Sequence, residues 1–182
     1  MTKRAPLSER PWSAPVALHD VPETGRHVEL AADERTRTAI AKLAGLRTLP
    51  RLHAAFDVTL HGRDGLRVVG RISAAVGQTC VVTLELIENE IDEEINLLFT
   101  PAAAPSLIGH GGAEVPIRAA DGPEPLVGGV VDLGALATEF LILGIDPYPR
   151  KPGAVFEAAS VGNSATNPFA ALAVLKKKQG GS

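Results

Sequence analysis

Two runs of alternating residues fill the middle of this chain and leave it little freedom in how it folds. Leu52, Ala54, Phe56, Val58 and Leu60 take every second position of the first run. Leu66, Val68, Gly70, Ile72, Ala74 and Val76 do the same in the second, with polar or small residues between them. A period of two is the pattern of a strand with one buried and one solvated face. Gly62-Arg63-Asp64-Gly65 separates the runs, and turn residues between two alternating segments predict an antiparallel hairpin. A third run continues the pattern. Ile87, Ile91, Ile95, Leu97 and Phe99 share one parity, and Glu88, Glu90, Asp92 and Glu94 share the other, giving one apolar and one acidic face. Between the second and third runs, Cys80-Val81-Val82-Thr83-Leu84 reads as a buried strand in which Cys80 is a small hydrophobe.

Shorter elements surround these. Val16, Leu18 and Val21 suggest one short strand, His27 to Leu30 a second, and Val130-Val131 another. Asp33 is placed to cap a helix that carries Ile40 and Leu43 and ends near Gly45. The stretch Asp132 to Arg150 reads as a second helix. Asp132 caps it, and Leu133, Leu136, Ala137, Phe140 and Leu141 make its apolar face. Gly144 stands where a left-handed C-terminal residue is wanted, and Pro147 and Pro149 prevent continuation. Near the end, Asn167 and Pro168 start a small helix with Phe169, Leu172 and Leu175 on its apolar side.

These elements predict a single α+β domain over residues 14–150: an antiparallel sheet or partly open barrel with two short helices packed on it. Residues 1–13 are expected to form a disordered basic leader, with Trp12 anchoring the start of order. The Pro-, Gly- and Ala-rich stretch of about 101–128 is expected to be a mobile loop. Residues 151–182 are expected to form a linker and a flexible, basic C-terminal helical tail. At 182 residues the chain can bury one real core, and with aromatics at 4% that core must be built from Leu, Val, Ile and Ala. No apolar run approaches the roughly 20 residues of a membrane helix. MTKRAPLSERPWS lacks the apolar centre of a secretory signal, and a lone cysteine excludes an internal disulfide framework. A cytoplasmic location, away from membranes, is the expectation.

Charge is distributed in blocks. Residues 1–80 carry a net +4, residues 81–140 a net −10 and residues 141–182 a net +3. Arg35 and Arg37 near the first helix, Arg67 and Arg71 on one face of the hairpin, and Lys176, Lys177 and Lys178 in the tail are candidate contacts for RNA phosphate. Few aromatics interleave with them, so a base-stacking platform is not indicated. Glu88, Glu90, Asp92 and Glu94 form a candidate docking face for a basic protein, and Phe169 and Leu172 are candidate anchors in the tail. Solvated faces account for the same patterns. No catalytic constellation is visible, so the chain reads as a non-enzyme. The five histidines are scattered, and the acidic run lacks the spacing of a calcium loop. Gly109-His110-Gly111-Gly112 lacks the Lys and Ser/Thr of a phosphate loop. No cofactor and no metal is expected.

Three segments together carry a resemblance: QTCVVTLELIE from Gln78, VVDLGALATEFLILGIDPYPRKPGA from Val130 and NPFAALAVLKKK from Asn167. They resemble the bacterial YceD-like family, named for a large ribosomal RNA subunit accumulation protein. The motif positions are Cys80, Asp132, Leu133, Asp146, Pro147, Pro149, Arg150, Asn167, Pro168 and Phe169. Many relatives carry a second cysteine three residues after the first. Here Thr83 takes that place, which removes the pair that a metal or redox role would use. The resemblance implies a factor in synthesis, processing or stability of large-subunit rRNA. Its implied partners are that rRNA or a pre-ribosomal particle, or else a basic ribosomal or RNA-processing protein for which it serves as adaptor or chaperone.

Overall fold

The computed structural model of the chain describes residues 10–101 and 122–156. Its elements are β1 (Pro15–Ala17), β2 (Arg26–Ala31), α1 (Glu34–Ala44), β3 (Thr48–His61), β4 (Gly65–Thr79), β5 (Leu86–Pro101), β6 (Glu124–Leu126), β7 (Val130–Asp132) and α2 (Leu133–Gly144). All of them lie in a unit spanning Met1–Lys151. A second unit, Pro152–Ser182, is described only at residues 152–156, where Gly153 turns the chain with a φ of 77°. The expected tail helix, with Asn167, Pro168, Phe169, Leu172, Lys176, Lys177 and Lys178, lies outside the described residues.

The domain is α+β, with a five-stranded sheet in the order β2-β3-β4-β5-β6 and a separate β1-β7 pair. The sheet is open, with β2 and β6 as its edges. The predicted hairpin is β3–β4, closing at His61↔Gly65. β5 then pairs with β4 without a register shift from Thr79↔Leu86 to Leu66↔Phe99. The period of two translates directly into burial. Phe56, Val58, Leu66, Val68 and Ile72 are fully inaccessible, and Ile91, Ile95 and Phe99 of β5 are buried beside them. Gly70 is the one apparent gap in this alternation. It pairs with Phe56, and a Cβ there would strike the Ala55 carbonyl and the Phe56 ring. The aromatic ring occupies the space that a side chain at 70 would need.

Both helices cover this apolar face, in one hydrophobic cluster with Val16 and Val131 of the small sheet. Asp33 caps α1 by accepting the Thr36 N–H at 2.7 Å, and Gly45 ends it with a left-handed φ of 68°. Burial of α1 is centred on Ile40 and Ala41, so Leu43, about 110° from that centre at 3.6 residues per turn, points to solvent instead of joining the core. In α2, Leu133, Leu136, Ala137 and Leu141 are buried as expected, and Phe140 is half-buried. Gly144 is not a left-handed cap. It is the last residue of α2, and Ile145 after it is extended. A Cβ at 144 would lie 2.8 Å from Ile91 Cγ2 and 2.9 Å from Glu93 Oε1, so glycine here permits close approach of α2 to β5.

Four further expectations are corrected. Residues 80–84 are not a strand: Val81–Thr83 form the turn that reverses β4 into β5, and Leu84 has a left-handed φ of 61°. The stretch 101–128 is not loop throughout, because β6 pairs parallel to the end of β5 over Phe99–Pro101. Residues 102–121 lie outside the described residues. The ordered fold also starts before residue 14. Arg10 Nη1 and Ser13 Oγ both donate to Asp132 Oδ2 at 3.0 Å, and half-buried Trp12 packs on the core. Leu18, read as strand, is the first residue of a 3-10 turn, Leu18–Asp20.

Candidate functional site

The face of the sheet opposite the helices carries the charge. On β3 and β4 the odd positions point outward, and on β5 the even ones do, as the burial alternation dictates. Register then sets the neighbours. Arg71 lies between Ala55 and Glu94, Ser73 between His53 and Asp92, and Ala75 between Arg51 and Glu90. The small residues Ala55, Ser73 and Ala75 leave room for long side chains to reach diagonally. Arg71 Nε meets Asp92 Oδ1 at 2.9 Å and Arg71 Nη2 meets Glu94 Oε1 at 3.3 Å. Arg51 pairs with Glu90 and also donates to Ser73 Oγ at 2.9 Å. Arg67 donates to Asn96 Oδ1 at 3.3 Å. On β2, His27 sits 2.7 Å from Asp57 and 3.5 Å from Glu29, and hydrogen bonds to these carboxylates raise its pKa above the ordinary value.

Two candidate surfaces therefore merge into one. Arg67 and Arg71, candidates for RNA contact, share a face with Glu90, Asp92 and Glu94, candidates for protein docking, and Arg71 is directly paired with two of those acids. Glu88 lies on the same face and is exposed, with no ion-pair partner among the described residues. The expected joint basic footprint of first helix and hairpin does not form. α1 packs on the buried face of the sheet, so Arg35 and Arg37 belong to the opposite layer from Arg67 and Arg71. Arg35 is exposed, whereas Arg37 is half-buried and donates to the Ala32 carbonyl at 2.6 Å, bracing the helix start. Arg51 follows the first helix closely in sequence. Its odd position on β3 places it on the charged face, a placement that counting back from the hairpin turn yields.

A second constellation joins two of the sequence motifs. The β4–β5 turn docks against the segment that follows α2. Gln78 Nε2 donates to the Asp146 carbonyl at 2.8 Å, and Val81 N–H to the Pro149 carbonyl at 2.9 Å. Lys151 Nζ meets Glu85 Oε2 at 2.9 Å. Asp146 Oδ1 accepts the Tyr148 N–H at 2.9 Å, Pro149 is buried, and Pro147 and Arg150 are exposed. Cys80 sits at the centre, with no accessible surface. Its sulfur accepts the backbone N–H of Lys151 at 3.3 Å and of Thr83 at 3.4 Å. These donors, Lys151 first and then Thr83, pull the thiol down to about 6. An inaccessible thiol that ties two segments together is a packing and hydrogen-bonding joint, not an exposed nucleophile. Its surroundings are a turn, not the strand expected from Val81 and Val82.

Asp132 is the third fixed point. Burial pushes its carboxyl up, but the N–H groups of Ala14 and Ala135, the Ser13 hydroxyl and the Arg10 guanidinium outweigh that and hold it below the ordinary value. It caps α2 and anchors the N-terminal segment at once, and Leu133 beside it is fully buried. Among the described residues no three His, Cys, Asp or Glu side chains gather in a metal-binding group, and no helix is long and apolar enough to cross a membrane. No protein-family model, curated protein or solved structure matches the chain.

Proposed function

We propose that this chain is a non-enzymatic cytoplasmic docking factor of the YceD-like kind, supporting accumulation of large-subunit rRNA by holding a basic ribosomal or RNA-processing protein on its open sheet face. The resemblance carried by the Cys80, Asp132 and Asp146–Arg150 segments supports the proposed process. The charged face supports the proposed mode of action. What supports protein docking over direct RNA contact is the fate of the hairpin arginines. Arg71 is already paired with Asp92 and Glu94, and Arg51 with Glu90. Glu29, Asp57, Glu88, Glu90, Asp92 and Glu94 outnumber Arg51, Arg67 and Arg71 on that face. A surface with excess carboxylate repels a phosphate backbone and steers a cationic protein toward itself.

Affinity capture with and without RNase tests the reading. Protein partners that persist after RNase, and dissociate as salt rises, are the expected result. Partners lost entirely on RNase treatment would transfer the function to direct RNA contact, for which Arg35, Arg67 and the Lys176–Lys178 triplet are the candidate cations not committed to a carboxylate in the described contacts.

A further inference from the structure

We propose that the basic partner docks by adding an extended segment as a new strand along the free edge of β5, with Lys or Arg at alternate positions against Glu88, Glu90, Asp92 and Glu94. This rests on the docking reading above and specifies its mode. β5 has β4 on one side from Leu86 to Phe99, whereas β6 lies on the other side only at Phe99–Pro101. From Leu86 to Leu98, therefore, β5 has a strand neighbour on one side alone among the described residues, an edge of roughly 40 Å at about 3.4 Å per residue.

The register says which backbone groups that edge presents. Cys80 N–H donates to the Glu85 carbonyl at 2.8 Å, so that pair is hydrogen-bonded. Hydrogen-bonded and non-bonded pairs alternate along an antiparallel ladder. Odd-numbered residues of β5 then bond to β4, and even-numbered ones direct N–H and C=O to the free edge. Gly77, opposite Glu88, confirms the phase from the other side: its carbonyl accepts the Arg47 N–H on the β3 side at 2.8 Å. The residues offering backbone groups at the edge are thus Glu88, Glu90, Asp92 and Glu94, flanked by Leu86, Asn96 and Leu98. No bulge interrupts the pairing of β5, so an added strand meets a regular template.

Charge selects the occupant. Glu88, Glu90, Asp92 and Glu94 receive two cations from β3 and β4, Arg51 and Arg71, and so retain negative charge. A second copy of β5 laid antiparallel on this edge would set carboxylates against carboxylates, which is destabilising. The same charges that guard the edge against self-pairing favour an incoming cationic strand. On the other face of such a strand, its apolar side chains would lie beside Ile87, Ile91, Ile95 and Leu97, with Asn89 and Glu93 between them. The matching segment therefore alternates basic and apolar residues.

A ten-residue Lys-Val repeat with blocked ends serves as probe for the intact chain. Binding is expected to slow exchange of the Glu88, Glu90, Asp92 and Glu94 amides. Peptides N-methylated at every second residue, in the two alternative phases, should differ, one losing at least tenfold in affinity. Glu90→Pro removes the outward N–H together with the Glu90 carboxylate, so it is read against Glu90→Ala, beyond which it should weaken binding a further tenfold or more at an almost unchanged melting temperature. The double variant Glu88→Lys/Glu94→Lys should also weaken it. If charge reversal weakens binding but neither methylated peptide does, the acidic face is a docking surface and strand addition is wrong. Should charge reversal have no effect either, the docking reading falls with it. Because the methylated peptides leave the protein intact, the outcome does not depend on how the proline variant folds.

Discussion

The inner and outer faces of the same strands are written in different terms. Phe56, Leu66, Val68 and Ile72 on the inner face have no accessible surface, and one cluster joins them to both helices. On the outer face, Arg67 and Arg71 alternate in sequence with Leu66, Val68 and Ile72, Asp92 and Glu94 lie between Ile91 and Ile95, and all four remain exposed. Burial of apolar area stabilises by about 25 cal/mol per Å², whereas an exposed ion pair contributes roughly 0–1 kcal/mol. The inner face therefore sets the fold, and the outer face is left almost free of that constraint. Its charges can be arranged for recognition with little loss of stability.

The largest expected effect lies inside. Phe56→Ala should cost about 3–5 kcal/mol, because a fully buried ring leaves a cavity that the surrounding strands cannot close. Urea unfolding measures it as a drop in midpoint at constant slope. A loss below 1 kcal/mol would mean that the two faces are not divided as described. Gly70→Ala tests the same face from the opposite direction. The added methyl meets Phe56 and the Ala55 carbonyl, so overpacking should cost about 1–3 kcal/mol, although the change is only one carbon. A neutral result would show that the Phe56 ring has another place to go.

What was legible in sequence follows the same division. The β3–β4 hairpin, the acidic and apolar parities of β5 and the Asp33 and Asp132 caps are local patterns, and each appears where its residues indicate. The misreadings lie where a distant neighbour decides. Val81 and Val82 look like strand, yet the reversal of β4 into β5 falls on them, and Leu84 takes a left-handed conformation in a segment with no glycine or asparagine to announce it. Gly144 looks like a cap but answers to Ile91 and Glu93, more than 45 residues earlier. The pairing of Arg71 with Asp92 and Glu94 needs the register of two strand pairs, which charge counts along the chain do not contain.

The joint at Cys80 should give a smaller effect with a definite pH signature. The folded thiol is lowered to about 6 from an ordinary 9.0 by N–H groups of Lys151 and Thr83. A group lowered on folding adds stability above its unfolded pKa and loses it as pH falls through the folded one. Between pH 9 and 6 the wild-type melting temperature should therefore fall relative to that of Cys80→Ala. Parallel curves for the two proteins would mean that the thiol stays protonated and the joint is held by packing and backbone bonds alone.

The smallest effect on stability belongs to Arg71→Ala, and it separates the two functional readings most cleanly. Arg71 is exposed and its pairs with Asp92 and Glu94 are surface pairs, so unfolding free energy should change by no more than about 1 kcal/mol. Its removal frees two carboxylates on the outer face. If a cationic protein segment binds there, Arg71→Ala should tighten that binding, and the gain should shrink as salt screens the exposed charges. If RNA binds there, the same substitution should weaken binding and flatten its salt dependence, because one phosphate-neutralising cation is gone. Titrating wild type and variant against the Lys-Val peptide and against a structured RNA, each at two salt concentrations, gives opposite signs under the two readings. Tighter peptide binding with RNA affinity unchanged assigns the face to protein. Weaker RNA binding with peptide affinity unchanged would reassign it to nucleic acid, and Arg71 would then have to leave Asp92 and Glu94 to make the contact.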